Sequence, residues 1–140
     1  HAGLFSTAKD LATFSQMMLN DGIYGWQRIF KSETVNLFTE KTLLTKESSR
    51  CLGWDSPSGK SSGGLYLSDS SYGHTGFTGT SIWIDPENNI FVILLSNAVY
   101  PNRENKNPTY FDWRQRLHSS IYQALGYKVK NSKLEWRKEW

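Results

Sequence analysis

Residues 80–95 constrain the fold more than any other stretch. Thr80-Ser-Ile-Trp-Ile-Asp85 alternates between polar and bulky apolar side chains, the period of a strand with one face toward a core. Pro86-Glu-Asn-Asn89 then offers residues that suit a tight reversal. Ile90-Phe-Val-Ile-Leu-Leu95 follows, apolar on both faces. The pattern predicts a hairpin of residues 80–85 and 90–97, with the second strand central and covered on two sides.

The segment leading into that hairpin is Tyr72-Gly-His-Thr-Gly-Phe-Thr-Gly-Thr80. A Gly and polar stretch that passes into strand periodicity can line a site with its first residues and a core with its later ones. Gly76 and Gly79 leave the backbone bare, so a ligand could lie along it and take hydrogen bonds from N–H groups. An ordinary hairpin explains the same spacing, so His74-Thr75-Gly76 is a candidate site here and no more.

The rest of the chain reads as helix, helix, long loop, hairpin, helix, with no internal repeat. Thr7 with Asp10 is an N-cap pair. Leu11, Phe14, Met17, Met18 and Leu19 recur at helical spacing up to the stop signal Asn20-Asp21-Gly22, the methionines serving as core filler. A shorter helix begins at Ser32, with Val35, Leu37 and Phe38 as its apolar contacts. Residues 40–71 are rich in Ser, Gly and charge, with Leu52-Gly-Trp-Asp55 and Leu65-Tyr-Leu67 as apolar islands and candidate short strands. A long irregular region of this kind is usually functional or mobile. After a polar loop at 100–109, residues 111–125 predict an amphipathic helix with the stripe Trp113, Leu117, Ile121, Ala124 and Leu125, ended by Gly126.

Composition excludes several classes. At 140 residues the chain fits one domain, and 38% hydrophobic content with 6 Trp, 7 Tyr and 7 Phe is globular, not disordered. The net charge of +3 concentrates in the tail, where Lys128, Lys130, Lys133, Arg137 and Lys138 outweigh Glu135 and Glu139. No RNA-binding signature or extended basic face accompanies it, so nucleic acid is not expected as a partner. The tail reads as a solvated end or as a segment packing by its Trp residues. Cys51 is the only cysteine, which leaves no internal disulfide or cysteine-based zinc site, and no local signature marks it as a nucleophile. His1, His74 and His118 share no ligand spacing, so no metal is expected. His118 reads as a solvated or cap-like helix residue, and His1 as a chain end. No apolar run is long enough to span a membrane. The chain does not open with Met, and His-Ala-Gly-Leu-Phe reads as the interior of a longer protein.

Together these segments resemble the C-terminal half of the serine β-lactamase-like family: class C β-lactamases, related penicillin-binding proteins, DD-peptidases and esterases. Gly3-Leu-Phe-Ser-Thr-Ala-Lys-Asp-Leu-Ala-Thr-Phe14 is similar to the segment opening a late helix of its helical subdomain. Tyr72-Gly-His-Thr-Gly-Phe-Thr-Gly-Thr80 is similar to its third active-site motif, K-T-G or H-x-G, on the strand lining the cleft. Residues 90–97 resemble the next strand, and the last helix resembles the C-terminal helix that packs on the sheet. The resemblance implies an α+β fold of antiparallel strands packed by helices over residues 1–126, with residues 127–140 as a basic, Trp-containing tail. It also implies a serine acyl-enzyme mechanism without a cofactor, in which an S-x-x-K serine attacks a carbonyl, helped by its lysine and a Y-x-N tyrosine. His74 would stand where the family has Lys or His. Phe77 would give its backbone N–H to the oxyanion hole, a contact worth about 3–4 kcal/mol in other hydrolases. Thr75, Gly76 and Thr78 would line the substrate, Thr75 against its carboxylate and Gly76 by giving clearance.

Two departures shape the functional expectation. Imidazole has an ordinary pKa of about 6.5, so a permanent charge for a substrate carboxylate would be missing at the motif. That favours an esterase, amidase or peptidase over a true β-lactamase. Ser6-Thr-Ala-Lys9 and Tyr100-Pro-Asn102 match S-x-x-K and Y-x-N only as strings. Ser6 and Thr7 read as helix-start residues, and the tyrosine follows the H-T-G instead of preceding it. The expectation is therefore a serine-hydrolase portion without the nucleophile-bearing half, exposing apolar surface that the missing half or self-association would cover. The resemblance points to a small-molecule or peptidoglycan-like substrate and a periplasmic or extracytoplasmic place in a bacterium. A catalytically inactive binding module of the same fold is the alternative, and an unrelated hairpin-and-helix interaction domain is a third reading.

Overall fold

A computed structural model of the chain describes residues 3–41, 48–102, 104 and 112–136. Expectations resting on His1, Phe111, Arg137, Lys138, Glu139 and Trp140, and on parts of the 40–71 and 100–109 loops, lie outside the described residues. Among the described residues, three helices and seven short strands make an α+β fold. Helix α1 (Ala8–Leu19) starts on the expected cap, with the Thr7 hydroxyl accepting from the Asp10 N–H at 3.2 Å. It closes on Asn20 and on Gly22, whose φ of +85° suits a residue without Cβ. A small hairpin of β1 (Ile23–Tyr24) and β2 (Gln27–Arg28) leads to α2 (Ser32–Thr39). On α2 only Val35 is buried, whereas Leu37 and Phe38 stay exposed, contrary to the expected contacts.

The centre is an antiparallel sheet in the order β4 (Tyr72–Thr75), β5 (Ser81–Asp85), β6 (Ile90–Leu94). The expected hairpin forms with Ser81 opposite Leu94 and Asp85 opposite Ile90, and Asn89 takes the left-handed conformation that closes its turn. The apolar run predicted to be central is instead an edge strand among the described residues, half-buried throughout, and β5 is the central one. Two short connections place β5 between its neighbours, and hydropathy alone does not report that order.

Alternation on β5 divides the core between the two sheet faces. Ile84 joins Tyr72, Met17, Met18 and Val35 on the side of α1 and α2. Trp83 joins Leu65, Tyr66, Leu67, Tyr122 and Leu134 on the side of α3 (Trp113–Ala124). The island at 65–67 is therefore buried core without being a strand.

Helix α3 is rotated relative to its predicted face. Its buried residues are Arg114, Gln115, His118, Ser119 and Tyr122, while Leu117 and Leu125 of the apolar stripe are exposed. The reason lies opposite it. Arg114 Nη1 donates to the Thr80 carbonyl at 3.2 Å, His118 Nε2 meets Ser81 Oγ at 3.1 Å, and Tyr122 Oη donates to Asp85 at 2.7 Å. His118 is thus fully buried and not solvated as the sequence suggested. After α3 the chain returns to the body: Asn131 donates its N–H to Leu65 O at 2.7 Å, and β7 (Leu134–Trp136) pairs in parallel with β3 (Gly59–Ser61).

Candidate active site

Strand β4 buries Tyr72 and Gly73 and then surfaces at His74, with Thr75 half-covered. Tyr72 anchors it, its ring meeting Trp54 edge-on at 5.4 Å, and Trp54 in turn stacking on Phe14 of α1 at 6.2 Å. Gly73 is required because a Cβ there would run into Ile82 O and the Trp83 ring.

The turn between β4 and β5 holds the other candidates. Gly76 N–H donates to Thr80 O at 2.8 Å and Gly79 N–H to Gly76 O at 3.0 Å, closing a compact loop. Thr78 O accepts from Ala98 N–H at 2.7 Å and from Ser96 Oγ at 3.2 Å, so the loop is tied to the chain after β6. Gly79 has φ of +94°, and a Cβ on it would meet Ser96 Oγ at 2.8 Å and Ala98 Cβ at 2.9 Å. A Cβ on Gly76 would collide with Thr80 Oγ1, so that position is bare for the turn's own packing whatever else it serves. Phe77 sits at the tip with its ring largely exposed. His74, Thr75, Gly76, Phe77 and Thr78 thus share one strand end and one loop.

Residues 50–55 add what the sequence did not reveal. Gly53, at φ +86°, turns the chain so that Arg50 pairs with Asp55, and Asp55 pairs with Gly73 through backbone bonds of 2.7 and 2.8 Å. This ladder sets Arg50 beside β4. Its Nη1 lies 3.3 Å from His74 Nε2, and its Nε lies 3.2 Å from Asp55 Oδ1. His74 Nδ1 lies 2.8 Å from Thr75 O. A guanidinium only donates and a carbonyl only accepts, so Nε2 accepts from Arg50 and Nδ1 carries the ring proton. The motif has no permanent charge of its own, and Arg50 stands next to it.

The other literal matches lie elsewhere in character. Ser6 is exposed just before the cap of α1, and Lys9 is exposed on its first turn. Tyr100 is exposed beyond β6. Cys51 is buried, and burial together with the Asp55 charge raises its thiol pKa, which opposes nucleophilic use. Among the described residues no group of three His, Cys, Asp or Glu could hold a metal ion. No described helix is long and apolar enough to cross a membrane.

The beta-lactamase family profile matches residues 1–116. A putative D-alanyl-D-alanine carboxypeptidase of Escherichia coli (strain K12) is 39% identical over 117 residues, covering 80% of this chain and 26% of that protein. The N-acetylmuramyl-L-alanine amidase of Bacillus subtilis (strain 168) is 38% identical over 137 residues, covering 89% of this chain and 31% of its own length. A putative D-alanyl-D-alanine carboxypeptidase of Salmonella typhi is 39% identical over 111 residues, covering 77% of this chain and 25% of that protein. The chain spans roughly a quarter to a third of these relatives.

Proposed function

The chain belongs to the beta-lactamase family, and from that premise we propose that it is the H-T-G-bearing portion of a serine hydrolase acting on cell-wall material. The reaction is acyl transfer to a serine outside these residues, followed by hydrolysis, at an amide or ester bond. His74 lies over the cleft, the Phe77 N–H faces the developing oxyanion, and Thr75, Gly76 and Thr78 line the bound substrate. The observation that carries this reading is that β4 surfaces at His74 and passes straight into a braced turn, presenting several polar groups at one strand end. The names of the relatives support the substrate class, since both describe an amide bond to alanine. A peptidoglycan fragment as substrate also implies an extracytoplasmic location. The apolar side chains left open, Leu4, Phe5 and Trp26 among them, fit a body that packs against further chain or against a second copy.

The test is direct. The coding sequence before His1 should contain an S-x-x-K and then a Y-x-N. The extended protein should cleave an N-acetylmuramyl-L-alanine or D-alanyl-D-alanine substrate, and the 140-residue chain alone should not. Turnover by the short chain that disappears in Ser6→Ala would overturn this division of labour. A fold extended without such a serine would favour the inactive binding module.

A further inference from the structure

Tyr72 carries a hydroxyl that the fold does not satisfy. The residue is 2% exposed, and its Oη is buried with no hydrogen-bond partner among the described residues. A phenylalanine would set the same ring against Trp54 without that cost, so the oxygen marks a place made for polar company. Tyr72 lines a cavity of about 470 Å³, within the size range of small-molecule sites. The cavity lies away from His74. Tyr72 opens β4 opposite Ile84, Thr75 closes it opposite Ser81, and Pro86, just beyond β5, shares the cavity wall. The cavity therefore sits at the end of the sheet opposite the H-T-G turn, where α1 and α2 close and β4 begins.

Its lining joins an apolar floor to a negative rim. Met18 and Val35 are buried and form part of the floor. Asp21, Glu40 and Asp69 bring carboxylates to the exposed rim, against the single ammonium of Lys41. Asp69 is engaged by Lys133 at 2.5 Å, whereas Asp21 and Glu40 have no ion pair among the described residues. Arg28 is close by, but its Nη1 donates to the Asp21 and Phe30 carbonyls and it does not line the cavity. Burial first, and then the Asp21 charge, raises the Tyr72 phenol pKa, which puts Asp21 within electrostatic reach of the hydroxyl. The described carboxylates are not grouped closely enough to hold a metal ion, so the cation that fits is an organic one.

We propose that this cavity binds a primary alkylammonium group, with its stem on Met18 and Val35 and its –NH₃⁺ between the Asp21 carboxylate and Tyr72 Oη. An ammonium has three donors and no acceptor, and both oxygens can accept from it. Free amines and lysine side chains share this chemistry. The site rests on neither His74 nor the hydrolase reading, and either can fail without the other.

The experiment is an NMR titration of the 140-residue chain with n-pentylamine and, separately, with its neutral counterpart n-pentanol. The readouts are the Met18 and Val35 methyl and Tyr72 ring resonances. The amine should saturate and bind about tenfold more tightly than the alcohol, the scale of one charged hydrogen bond. Asp21→Asn should remove most of that preference. Asparagine suits this test, since Asp21 has φ of +51° and Asn tolerates that region. Tyr72→Phe should weaken the amine and leave the alcohol as it was. Equal binding of amine and alcohol, shifts that never saturate, or a preference that survives in Asp21→Asn overturns the proposal. Should Tyr72→Phe fail to fold, the parent chain and Asp21→Asn still decide. Nα-acetyl-lysine amide separates the two sources: binding as tight as pentylamine upholds the site for lysine side chains, and exclusion alongside tight pentylamine binding upholds it for free amines.

Discussion

His74 makes hydrogen bonds but little packing, since it surfaces on β4 between a buried glycine and a braced turn. Its removal should therefore leave stability nearly untouched, within about 0.5 kcal/mol as for other exposed positions. In the extended, active protein His74→Ala should lower turnover by about a hundredfold, the scale of a lost polar contact to the developing charge. Kinetics and thermal unfolding on the same preparation check both halves, and a large fall in stability with intact turnover would make His74 a packing residue. The glycines around it behave oppositely. At Gly73 an added Cβ meets backbone and an indole ring, neither of which can step aside. At Gly76 it meets the end of a threonine side chain, which can rotate. Gly73→Ala should thus cost about 2–3 kcal/mol and Gly76→Ala clearly less, by urea unfolding. His74 was legible because its type and neighbours form a motif. Arg50 was not, because only the 50–55 ladder brings it across the intervening loop.

The relation between α3 and β5 carries the same lesson at the scale of elements. Helical period located α3, and strand period located β5, but neither says which helix face meets the sheet. Arg114, His118 and Tyr122 recur every fourth residue and match Thr80, Ser81 and Asp85 along the sheet. Specific hydrogen bonds outweighed the apolar stripe. Asp85 is the anchor: its buried carboxylate accepts from Ser68 N–H and Oγ, Asn88 N–H and Nδ2, and Tyr122 Oη. Burial pushes its pKa up, yet the bonds from Ser68, Asn88 and Tyr122 outweigh that and leave it below the usual value. Tyr122→Phe removes one charged hydrogen bond and should cost about 1.5–3 kcal/mol in chemical denaturation. A loss below 0.5 kcal/mol would show that the remaining donors already satisfy the carboxylate. The parallel pair β3–β7 escaped detection for a related reason, since three-residue strands in a basic, Ser-rich context have no period to read.

These buried groups give the molecule an acid response in two steps. Burial, reinforced by the Arg114 charge, drops the His118 pKa from 6.5 to about 4. The unfolded chain therefore takes up this proton first. The contribution of neutral His118 is complete above about pH 6.5 and falls as pH drops toward the folded value near 4. At roughly 1.4 kcal/mol per pKa unit, the loss across that window is on the order of 3–4 kcal/mol. Asp85 acts lower. Its pKa is depressed, so its contribution is intact above the ordinary carboxylate range near 4 and disappears as pH falls through the lowered folded value. Urea unfolding of the chain should accordingly show stability declining from pH 6.5 to 4 and again below 4. His118→Gln should flatten the first decline while keeping the second, because a neutral amide near Ser81 has no proton to gain. Asp85→Asn should start from a lower stability and flatten the second decline. A His118→Gln protein whose stability falls between pH 6.5 and 4 as steeply as the parent's would mean that His118 is already protonated in the fold, and would place the acid sensitivity in other groups.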